Sequence, residues 1–233
     1  MHLFYLSEIT GNSIALDTVE SRHCIKVLRL KKDDIVHLTN GRGSLFEAKI
    51  SVADPSGCLL TIVKETREYQ KRNYKIHIAI APTKSIDKLE WFIEKATEIG
   101  VDEITPVICD FSERTTLKND RLDKIIISAL KQSCQVYKPK LNLAIPLSKF
   151  LNEPFLGQCF IAHCAEGEKY HLKEIYVPGS DCLILIGPEG DFSPDEINLA
   201  KSKNFKEITL SNNRLRTETA GVIACHTIVL LNS

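Results

Sequence analysis

From Tyr74 onward, short apolar segments of the chain alternate with longer amphipathic ones. A short apolar run bounded by glycine, proline or polar residues is typical of a buried strand, and apolar residues spaced three and four apart are typical of a helix. Strands that alternate with helices in this way form a mostly parallel sheet with helices on both faces, which is an α/β fold. The first predicted elements are strand Lys75–Ile80, helix Ser85–Ile99 with Gly100 as its stop, strand Glu103–Cys109, helix Asp120–Gln135 and strand Gln158–Cys164.

A strand, a polar loop and a helix follow one another from Asp181 onward. The apolar run Asp181–Ile186 is predicted as a buried strand, and it leads into the loop Gly187–Phe192. A helix is expected next, because Ser193 suits the N-cap and Pro194 the first helical position. Glu196 completes a capping box with Ser193.

The same order of elements is repeated at the end of the chain. Strand Glu207–Leu210 is followed by the polar loop Ser211–Thr219 and by the apolar helix Ala220–Leu231. Thr217 or Thr219 is the predicted N-cap of that helix. Ligands of α/β proteins bind beyond the carboxyl ends of the strands, so the two loops are predicted to form one ligand site.

The first 70 residues have the composition of a small β-rich domain. Turn signals such as Asn40-Gly41-Arg42-Gly43 separate short segments rich in strand-forming residues. The predicted strands are Ser13–Leu16, Ile35–Thr39, Ser44–Val52 and Cys58–Val63. The polar run Lys64–Asn73 is predicted to be a linker, which divides the chain into domains at residues 1–70 and 74–233.

A cluster of basic residues extends from Arg22 to Lys32 and contains no acidic side chain. Part of it lies on Ser21–Leu30, which is predicted to be a short helix. The cluster either binds a phosphate backbone or is a solvated basic face. The net charge of the chain is zero and does not choose between these alternatives.

Cysteine usage and hydropathy exclude several classes of protein. The eight cysteines are scattered singly and no Cys-x-x-Cys occurs, which predicts free thiols and no structural metal. No apolar run approaches the roughly 18 residues of a membrane span. The N-terminus lacks the features of a signal peptide, so a cytoplasmic protein is expected.

The residues of the two loops limit the chemistry of the ligand site. Gly187–Gly190 lacks the glycine spacing of a dinucleotide site, and no lysine-serine pair of a Walker loop follows it. Glycines beside an acid are typical either of a site for a neutral or cationic ligand or of a tight structural turn. Arg216 and Glu218 either act on a substrate or form a salt bridge with each other. His226 lies on the apolar helix and is predicted to be a core residue.

Taken together, these residues resemble the RsmE family, the bacterial small-subunit ribosomal RNA uracil-N3 methyltransferases. The resemblance covers the whole chain. The motifs that carry it are His23–Leu30, Asn40–Gly43, Lys84 with Lys88, Glu90, Lys95 and Glu98–Val101, then Pro106 and Arg114, Gly187–Gly190 with Asp191–Glu196, and Leu215–Ala220.

The resemblance implies a fold, a cofactor and a set of site residues. Residues 1–70 would form a PUA-like β-barrel that binds RNA, and residues 74–233 a SPOUT domain whose C-terminal part is threaded into a trefoil knot. S-adenosylmethionine would be the cofactor, no metal would be needed, and a homodimer would complete the site. The implied cofactor-binding residues are Glu166, Ile186, Gly187, Pro188, Glu189, Gly190, Leu210, Ser211, Asn213, Leu215, Arg216 and Thr217. The implied RNA-binding residues are Arg22, His23, Lys26, Arg29, Lys84 and Arg114. The chain departs from the residues usual in the family at Lys131, Gln135, Asp191, Ser211, Asn213 and Arg214.

The activity that the resemblance implies is methylation of N3 of a specific uridine in the decoding region of 16S ribosomal RNA, in the small subunit. Arg216 is the candidate for stabilising negative charge on uracil, and Glu218 for removing the N3 proton or orienting Arg216. The target base would be splayed out of the folded RNA. Two alternatives stay open, a SPOUT enzyme that methylates the ribose 2′-hydroxyl and a non-catalytic ribosome-assembly factor that only binds RNA.

Overall fold

The computed structural model describes residues 1–233, which divide into two compact units. The first unit contains Met1–Lys71 and Leu130–Lys138, and the second contains Arg72–Ala129 and Pro139–Ser233. The chain therefore returns to the first unit after a long excursion. Sequence patterns did not group the returning segment with the N-terminal residues.

The first unit is built on a mixed, five-stranded half-barrel sheet. Its strand order is β1-β3-β4-β5-β2, in which the β1–β3 pair is parallel and the other pairs are antiparallel. Alternate residues of its strands fill one core, as the two-residue period of a strand requires. The elements are β1 (Leu3–Tyr5), β2 (Ser13–Ala15), α1 (Thr18–Arg22), a π-helical turn (His23–Val27), β3 (Ile35–Thr39), β4 (Leu45–Val52) and β5 (Leu59–Thr66).

The turn between β3 and β4 forms where the asparagine-glycine signal predicted it. Gly41 and Gly43 have φ angles of 72° and 93°, which glycine adopts without strain. A Cβ at Gly43 would lie 2.5 Å from the ring of Tyr137, so this position also requires glycine for space.

Two predictions in the first unit were displaced along the sequence. The helix predicted at Ser21–Leu30 begins earlier, because the Asp17 carboxylate accepts a 2.8 Å hydrogen bond from the backbone N–H of Glu20 and caps α1. The linker predicted at Lys64–Asn73 begins later, because β5 continues to Thr66. β1 was not predicted.

The second unit is a parallel sheet covered by helices on both faces, as the alternating pattern predicted. Its strands are β6 (Ile76–Ile80), β7 (Glu103–Ile108), β8 (Lys140–Leu141), β9 (Ile145–Pro146), β10 (Gln158–Ala162), β11 (Tyr170–His171), β12 (Cys182–Ile186) and β13 (Lys206–Thr209). Its helices are α2 (Ile86–Ile99), α3 (Asn119–Gln132), which continues into the first unit, α4 (Leu147–Phe150), α5 (Leu172–Ile175), α6 (Pro194–Ser202) and α7 (Thr217–Leu231).

The strand order of this sheet is β11-β13-β10-β12-β6-β7-β8, with β9 paired to β7, and all of its pairs are parallel. β12 and β13 are consecutive in the chain, yet β10 lies between them. The chain therefore crosses to the far side of β10 after α6. The trefoil knot implied by the resemblance stays a prediction.

β12 lies at the centre of the sheet, and all of its residues are buried. Ile184 and Ile186 pack on the face covered by α2 and α7, while Leu185 packs on the face covered by α6. α7 approaches α2 closely because Gly221 has no side chain. A Cβ at Gly221 would lie 2.5 Å from the ring of Phe92.

The predicted stop of α2 and the predicted start of α6 are confirmed. Gly100 follows α2 in a left-handed conformation with φ of 108°. Ser193 and Glu196 form both hydrogen bonds of the capping box at the start of α6. Both signals are local, which is why the sequence alone places them well.

The predicted start of α7 was wrong. The helix begins at Thr217 with Arg216 as its N-cap, and no side chain caps it. Neither Thr217 nor Thr219 is the N-cap, because Thr217 is already helical and its hydroxyl donates to a carbonyl outside the helix. The prediction that His226 is a core residue was also wrong, since its side chain is exposed.

The chain shows three further features that bear on function. All eight cysteines are unpaired thiols. The side chains do not bring three or more metal-ligating groups together at any point. None of the helices has both the length and the apolar character needed to cross a lipid bilayer.

Candidate active site

A cavity of about 560 Å³ opens at the carboxyl ends of β10, β12 and β13. Sites for small molecules usually have volumes of roughly 300–1,000 Å³. Its walls come mainly from the first loop (residues 187–192) and the second loop (residues 210–216). Of the predicted cofactor-binding residues, Glu166 and Gly190 do not line the cavity. Those that line it are Ile186, Gly187, Pro188, Glu189, Leu210, Ser211, Asn213, Leu215, Arg216 and Thr217.

The first loop turns back sharply after β12. Asp191 has φ of 69°, and its backbone N–H donates to the carbonyl of Pro188 at 2.9 Å. Its carboxylate accepts hydrogen bonds from the backbone N–H groups of Cys164 at 2.7 Å and Phe192 at 2.9 Å. A Cβ at Gly187 would lie 3.1 Å from the Phe192 ring, so the loop closes tightly around that glycine. Asp191 thus ties the loop to the end of β10.

Glu189 joins the first loop to the segment before α2. Its Oε1 accepts a hydrogen bond from the backbone N–H of Lys84 at 3.1 Å. Arg114 holds the same segment, because its guanidinium donates to the carbonyls of Thr83 at 3.2 Å and Lys84 at 2.8 Å. The Lys84 ammonium pairs with Glu113 at 2.9 Å. Lys84 and Arg114 therefore have partners within the second unit, and their contact with RNA stays a prediction.

The second loop is held by its own polar side chains. Thr209 Oγ1 donates to the carbonyl of Ser211 at 2.9 Å, and Ser211 Oγ accepts from the backbone N–H of Asn213 at 3.2 Å. Arg214 reaches across to the first loop and donates to the carbonyl of Glu189 at 3.5 Å. The two loops are therefore in contact above the cavity.

A buried hydrogen bond joins the bases of the two loops. Thr217 Oγ1 donates to the carbonyl of Gly187 at 3.0 Å. Both residues line the cavity, and Thr217 is buried. This bond fixes the first turn of α7 against the end of β12, so it sets the distance between the cavity walls.

Arg216 and Glu218 lie at the start of α7 and do not form an ion pair with each other. Arg216 is exposed and lines the cavity. Glu218 is 8% exposed, does not line the cavity, and its Oε2 has no hydrogen-bond partner. The salt-bridge alternative is therefore wrong. The partial positive charge at the N-terminus of α7 favours a carboxylate at this position.

A buried histidine that sequence analysis did not include in the site also lines the cavity. His163 Nε2 donates to Glu207 Oε1 at 3.1 Å, and Glu207 Oε2 pairs with Lys201 at 2.7 Å. Burial, reinforced by the nearby Lys169 charge, lowers the pKa of His163, so the ring is neutral near pH 7. A carboxylate only accepts, so the ring proton is on Nε2 and Nδ1 is a buried acceptor without a partner. The available sequence signal was a polar residue directly after the apolar run of β10.

The basic residues predicted to bind RNA in the first unit are exposed, and they lie at the end of α1, on the π-helical turn and just after it. The nearby carboxylate of Glu20 is neutralised by Lys131, whose Nζ lies 2.5 Å from it. The cluster therefore presents basic side chains to solvent. Its predicted members are Arg22, His23, Lys26 and Arg29.

Two family models match the chain. One, described as an RNA methyltransferase domain, matches residues 70–229. The other, described as an RNA methyltransferase PUA domain, matches residues 16–63. Together they cover β3 and β4 of the first unit and every residue that lines the cavity.

Known proteins resemble the chain over nearly its full length. The ribosomal RNA small subunit methyltransferase E of Rickettsia conorii is 31% identical over 239 residues, with 99% of this chain and 96% of that protein covered. The crystal structure of a probable rRNA methyltransferase from Porphyromonas gingivalis is 39% identical with a TM-score of 0.93, covering 100% and 98% of the two chains. The ribosomal RNA small subunit methyltransferase E of Neisseria gonorrhoeae, bound to S-adenosylmethionine, is 26% identical with a TM-score of 0.87, covering 100% and 98%. As its motifs predicted, this chain belongs to the RNA methyltransferase family that includes the proteins named ribosomal RNA small subunit methyltransferase E.

Proposed function

We propose that this protein transfers the methyl group of S-adenosylmethionine to N3 of a specific uridine in the decoding region of 16S ribosomal RNA, within the small subunit. One observation carries the proposal. In a chain of this family, two loops joined by the Thr217–Gly187 hydrogen bond enclose a cavity of small-molecule size at the carboxyl edge of a parallel sheet. The Neisseria relative is bound to S-adenosylmethionine, which supports the same cofactor here.

The residues that line the cavity fit this cofactor. Leu210 and Leu215 provide apolar surface for a flat base, and His163 Nδ1 is a buried acceptor that lacks a partner. The carboxylates of Glu189 and Asp191 lie in the cavity wall, where they suit a ligand with a positive sulfonium group. When bound, the cofactor supplies a methyl group that the sulfonium activates for direct transfer.

The residues of the protein must activate the uracil, because N3 carries a proton and is a poor nucleophile. Arg216 lines the cavity and is exposed, so its guanidinium is placed to stabilise negative charge on a uracil that enters from solvent. Holding N3 in line with the methyl carbon supplies much of the remaining acceleration. Arg216 is therefore the residue that we assign to the substrate anion.

Glu218 acts either as the base or as a positioning residue for Arg216. Its unpartnered Oε2 can accept a proton or a hydrogen bond when the site rearranges around substrate. Glu218→Gln keeps the size of the side chain and removes its basicity. If Glu218 takes the N3 proton, turnover falls by about 10²–10⁴-fold and the acidic limb of the pH profile changes, while cofactor affinity stays the same. If Glu218 only orients Arg216, the amide retains most of the turnover and the pH profile is unchanged.

The proposed substrate also assigns roles to the first unit and to a second copy of the chain. The exposed basic cluster would bind the phosphate backbone of the RNA. A homodimer is supported by the C-terminal half of α7, where Leu230 is 62% exposed in a largely apolar segment. Since ribosomal subunits are assembled in the cytoplasm, the protein would act there.

Nucleoside analysis of a deletion strain tests the reaction. Mass spectrometry of digested 16S ribosomal RNA should show that 3-methyluridine is lost and that the wild-type gene restores it. An Arg216→Ala gene should not restore it. Loss of a 2′-O-methylated nucleoside instead would establish the ribose alternative.

Calorimetry with S-adenosylmethionine separates the enzyme from an assembly factor that only binds RNA. We expect the purified wild-type protein to bind the cofactor, and the Arg216→Ala protein to keep much of this affinity, because Arg216 is assigned to the substrate. If the wild-type protein does not bind the cofactor, the enzymatic proposal fails.

A further inference from the structure

A second cavity, of about 500 Å³, lies at the other edge of the parallel sheet of the second unit. It is lined by His77 of β6, Glu103 of β7 and Leu183 of β12, all near the amino ends of their strands. Phe150 and Phe155, from the chain between β9 and β10, form aromatic walls. The cofactor cavity opens at the carboxyl ends of the strands, so the length of the strands separates the two cavities.

A chain of hydrogen bonds fixes the proton on His77. Asn142 Nδ2 donates both of its hydrogens, to Glu103 Oε1 at 2.7 Å and to Thr105 Oγ1 at 2.7 Å. Since Thr105 accepts from Asn142, its own hydroxyl hydrogen is free to donate to His77 Nε2, which lies 2.7 Å away. The ring proton of His77 is therefore on Nδ1.

The Nδ1–H group of His77 is the polar feature of this cavity that the fold does not use. His77 is 8% exposed, and its Nδ1 has no hydrogen-bond partner in the protein. Nor is Nδ1 among the polar atoms that are fully enclosed without a partner, so it faces the cavity. The Phe150 ring meets His77 edge-on at 5.7 Å and the Phe155 ring lies at 6.2 Å, which holds the imidazole in place.

The charges around His77 determine what kind of ligand fits. Burial lowers the pKa of His77 to about 4, so the ring is neutral at pH 7. Burial acts to raise the pKa of Glu103, but hydrogen bonds from Asn142 and Lys140 outweigh it and the pKa is lowered. The Glu103 carboxylate is therefore ionised and can only accept. Its Oε1 is engaged by Asn142 and Lys140, which leaves Oε2 for a ligand.

We propose that this cavity binds a flat, uncharged ring that presents a C=O group next to an N–H group, the lactam edge of hypoxanthine, guanine and uracil. The C=O would accept from His77 Nδ1–H, and the N–H would donate to Glu103 Oε2. His77 and Glu103 are paired in register on neighbouring parallel strands. Such strands lie about 4.8 Å apart, a spacing that two adjacent ring atoms and their hydrogen bonds can span. The rings of Phe150 and Phe155 provide apolar surface for the faces of the base.

The ligand can come from two sources with this chemistry, a free nucleoside or an unpaired base of an RNA. The proposal does not rest on methyl transfer, because none of its residues lines the cofactor cavity. It would stand even if the cofactor proposal failed.

Binding of inosine to the full-length protein, followed by NMR of the ligand and of the His77 ring, tests the proposal. Inosine presents the lactam edge, and its use avoids uridine, which would also enter the proposed active site. We expect inosine to bind and to shift the His77 Nδ1 resonance, and 1-methylinosine, which lacks the N–H, to bind about tenfold or more weakly. Equal binding of the two nucleosides, or no binding of inosine, would overturn the proposal.

Two variants locate the site. His77→Phe keeps a ring in the cavity and removes the donor, and Thr105→Val removes the hydroxyl that fixes the tautomer. Each variant should bind inosine about five- to tenfold more weakly, or weaker still, and its affinity for S-adenosylmethionine should be unchanged. Unaltered inosine binding in both variants refutes the site. Should one variant fail to fold, the comparison of inosine with 1-methylinosine on the wild-type protein still decides.

The source of the ligand is distinguished with a trinucleotide that carries inosine at its centre. If it binds more tightly than free inosine and His77→Phe removes the gain, the site takes a base of an RNA. If free inosine binds as tightly as the trinucleotide, or more tightly, the site takes a nucleoside. Both results support the proposed chemistry, which is contradicted by the outcomes named above for 1-methylinosine and for the two variants.

Discussion

We expect the stability of the cavity walls to depend on a single hydroxyl group, that of Thr217. Thr217 Oγ1 donates to the Gly187 carbonyl at 3.0 Å in a buried setting. Thr217→Val keeps the shape of the side chain and replaces the hydroxyl by a methyl group. The Gly187 carbonyl then loses its donor in a place that water does not reach freely.

An unsatisfied buried acceptor costs about 1–3 kcal/mol of stability. In a chain of this size each kcal/mol lowers Tm by roughly 2–4 °C, so we expect a decrease of about 2–12 °C. If the loops separate in the free variant, the cofactor must bring them together again. Its Kd then rises by about tenfold for each 1.4 kcal/mol. Thermal unfolding measures the decrease in Tm, and calorimetry with S-adenosylmethionine measures the increase in Kd.

Thr219→Val is the matched control, because Thr219 lies on the same first turns of α7 and is not part of the bond between the loops. It should change Tm and cofactor affinity little. The reasoning is refuted if Thr217→Val keeps both the wild-type Tm and the wild-type Kd, or if the control loses as much as Thr217→Val does.

Three further predictions concern other parts of the chain. The pKa of His77 is near 6.5 in the unfolded state and about 4 in the folded state, where burial opposes protonation. The free energy of unfolding should therefore fall by up to about 3 kcal/mol as the pH drops from 6.5 to 4. Chemical denaturation at several pH values should show this loss in the wild-type protein and less of it in His77→Phe. Gly221→Ala should destabilise the protein by about 1–3 kcal/mol, because the added methyl group would overlap the ring packed 2.5 Å away, and a thermal shift reports it. The double change Lys26→Ala and Arg29→Ala should weaken RNA binding and reduce the salt slope by about two. Lys173→Ala on the second unit should not, and an unchanged slope in the double variant would remove the basic cluster from the RNA interface.

Local signals in the sequence predicted the elements that position the site. The capping box of Ser193 and Glu196 and the stop at Gly100 depend on residues within a few positions of each other, and both formed as predicted. β12 was recognisable as a buried strand because all of its residues are apolar and glycine follows it. The two loops after β12 and β13 could therefore be placed at one edge of the sheet without coordinates.

Contacts between distant residues could not be predicted in the same way. His163 became a candidate only when the pairing of β10 with β13 brought Glu207 to it, and Glu207 in turn pairs with Lys201 of α6. Threonine is a residue type that N-caps favour, and the hydroxyl of Thr217 does donate a hydrogen bond. Its partner, however, is the Gly187 carbonyl at the start of the other loop, 30 residues earlier in the chain, and no local rule selects that partner.

The positions at which this chain departs from its family follow from the same contacts. Asp191 replaces a glycine, and its carboxylate anchors the first loop to the backbone of Cys164 at 2.7 Å. Ser211 accepts from the backbone of Asn213, so the second loop is held by its own side chains rather than by a glycine turn. Arg214 then reaches the first loop. Because the side chains of Asp191, Ser211 and Arg214 each bond to backbone within the two loops or beside them, these three departures change how the walls of the cavity are held together. Asp191, Ser211, Asn213 and Arg214 also line the cavity, so the departures change some of the groups that a ligand meets, whereas Glu189 and the exposed Arg216 are not among the departures.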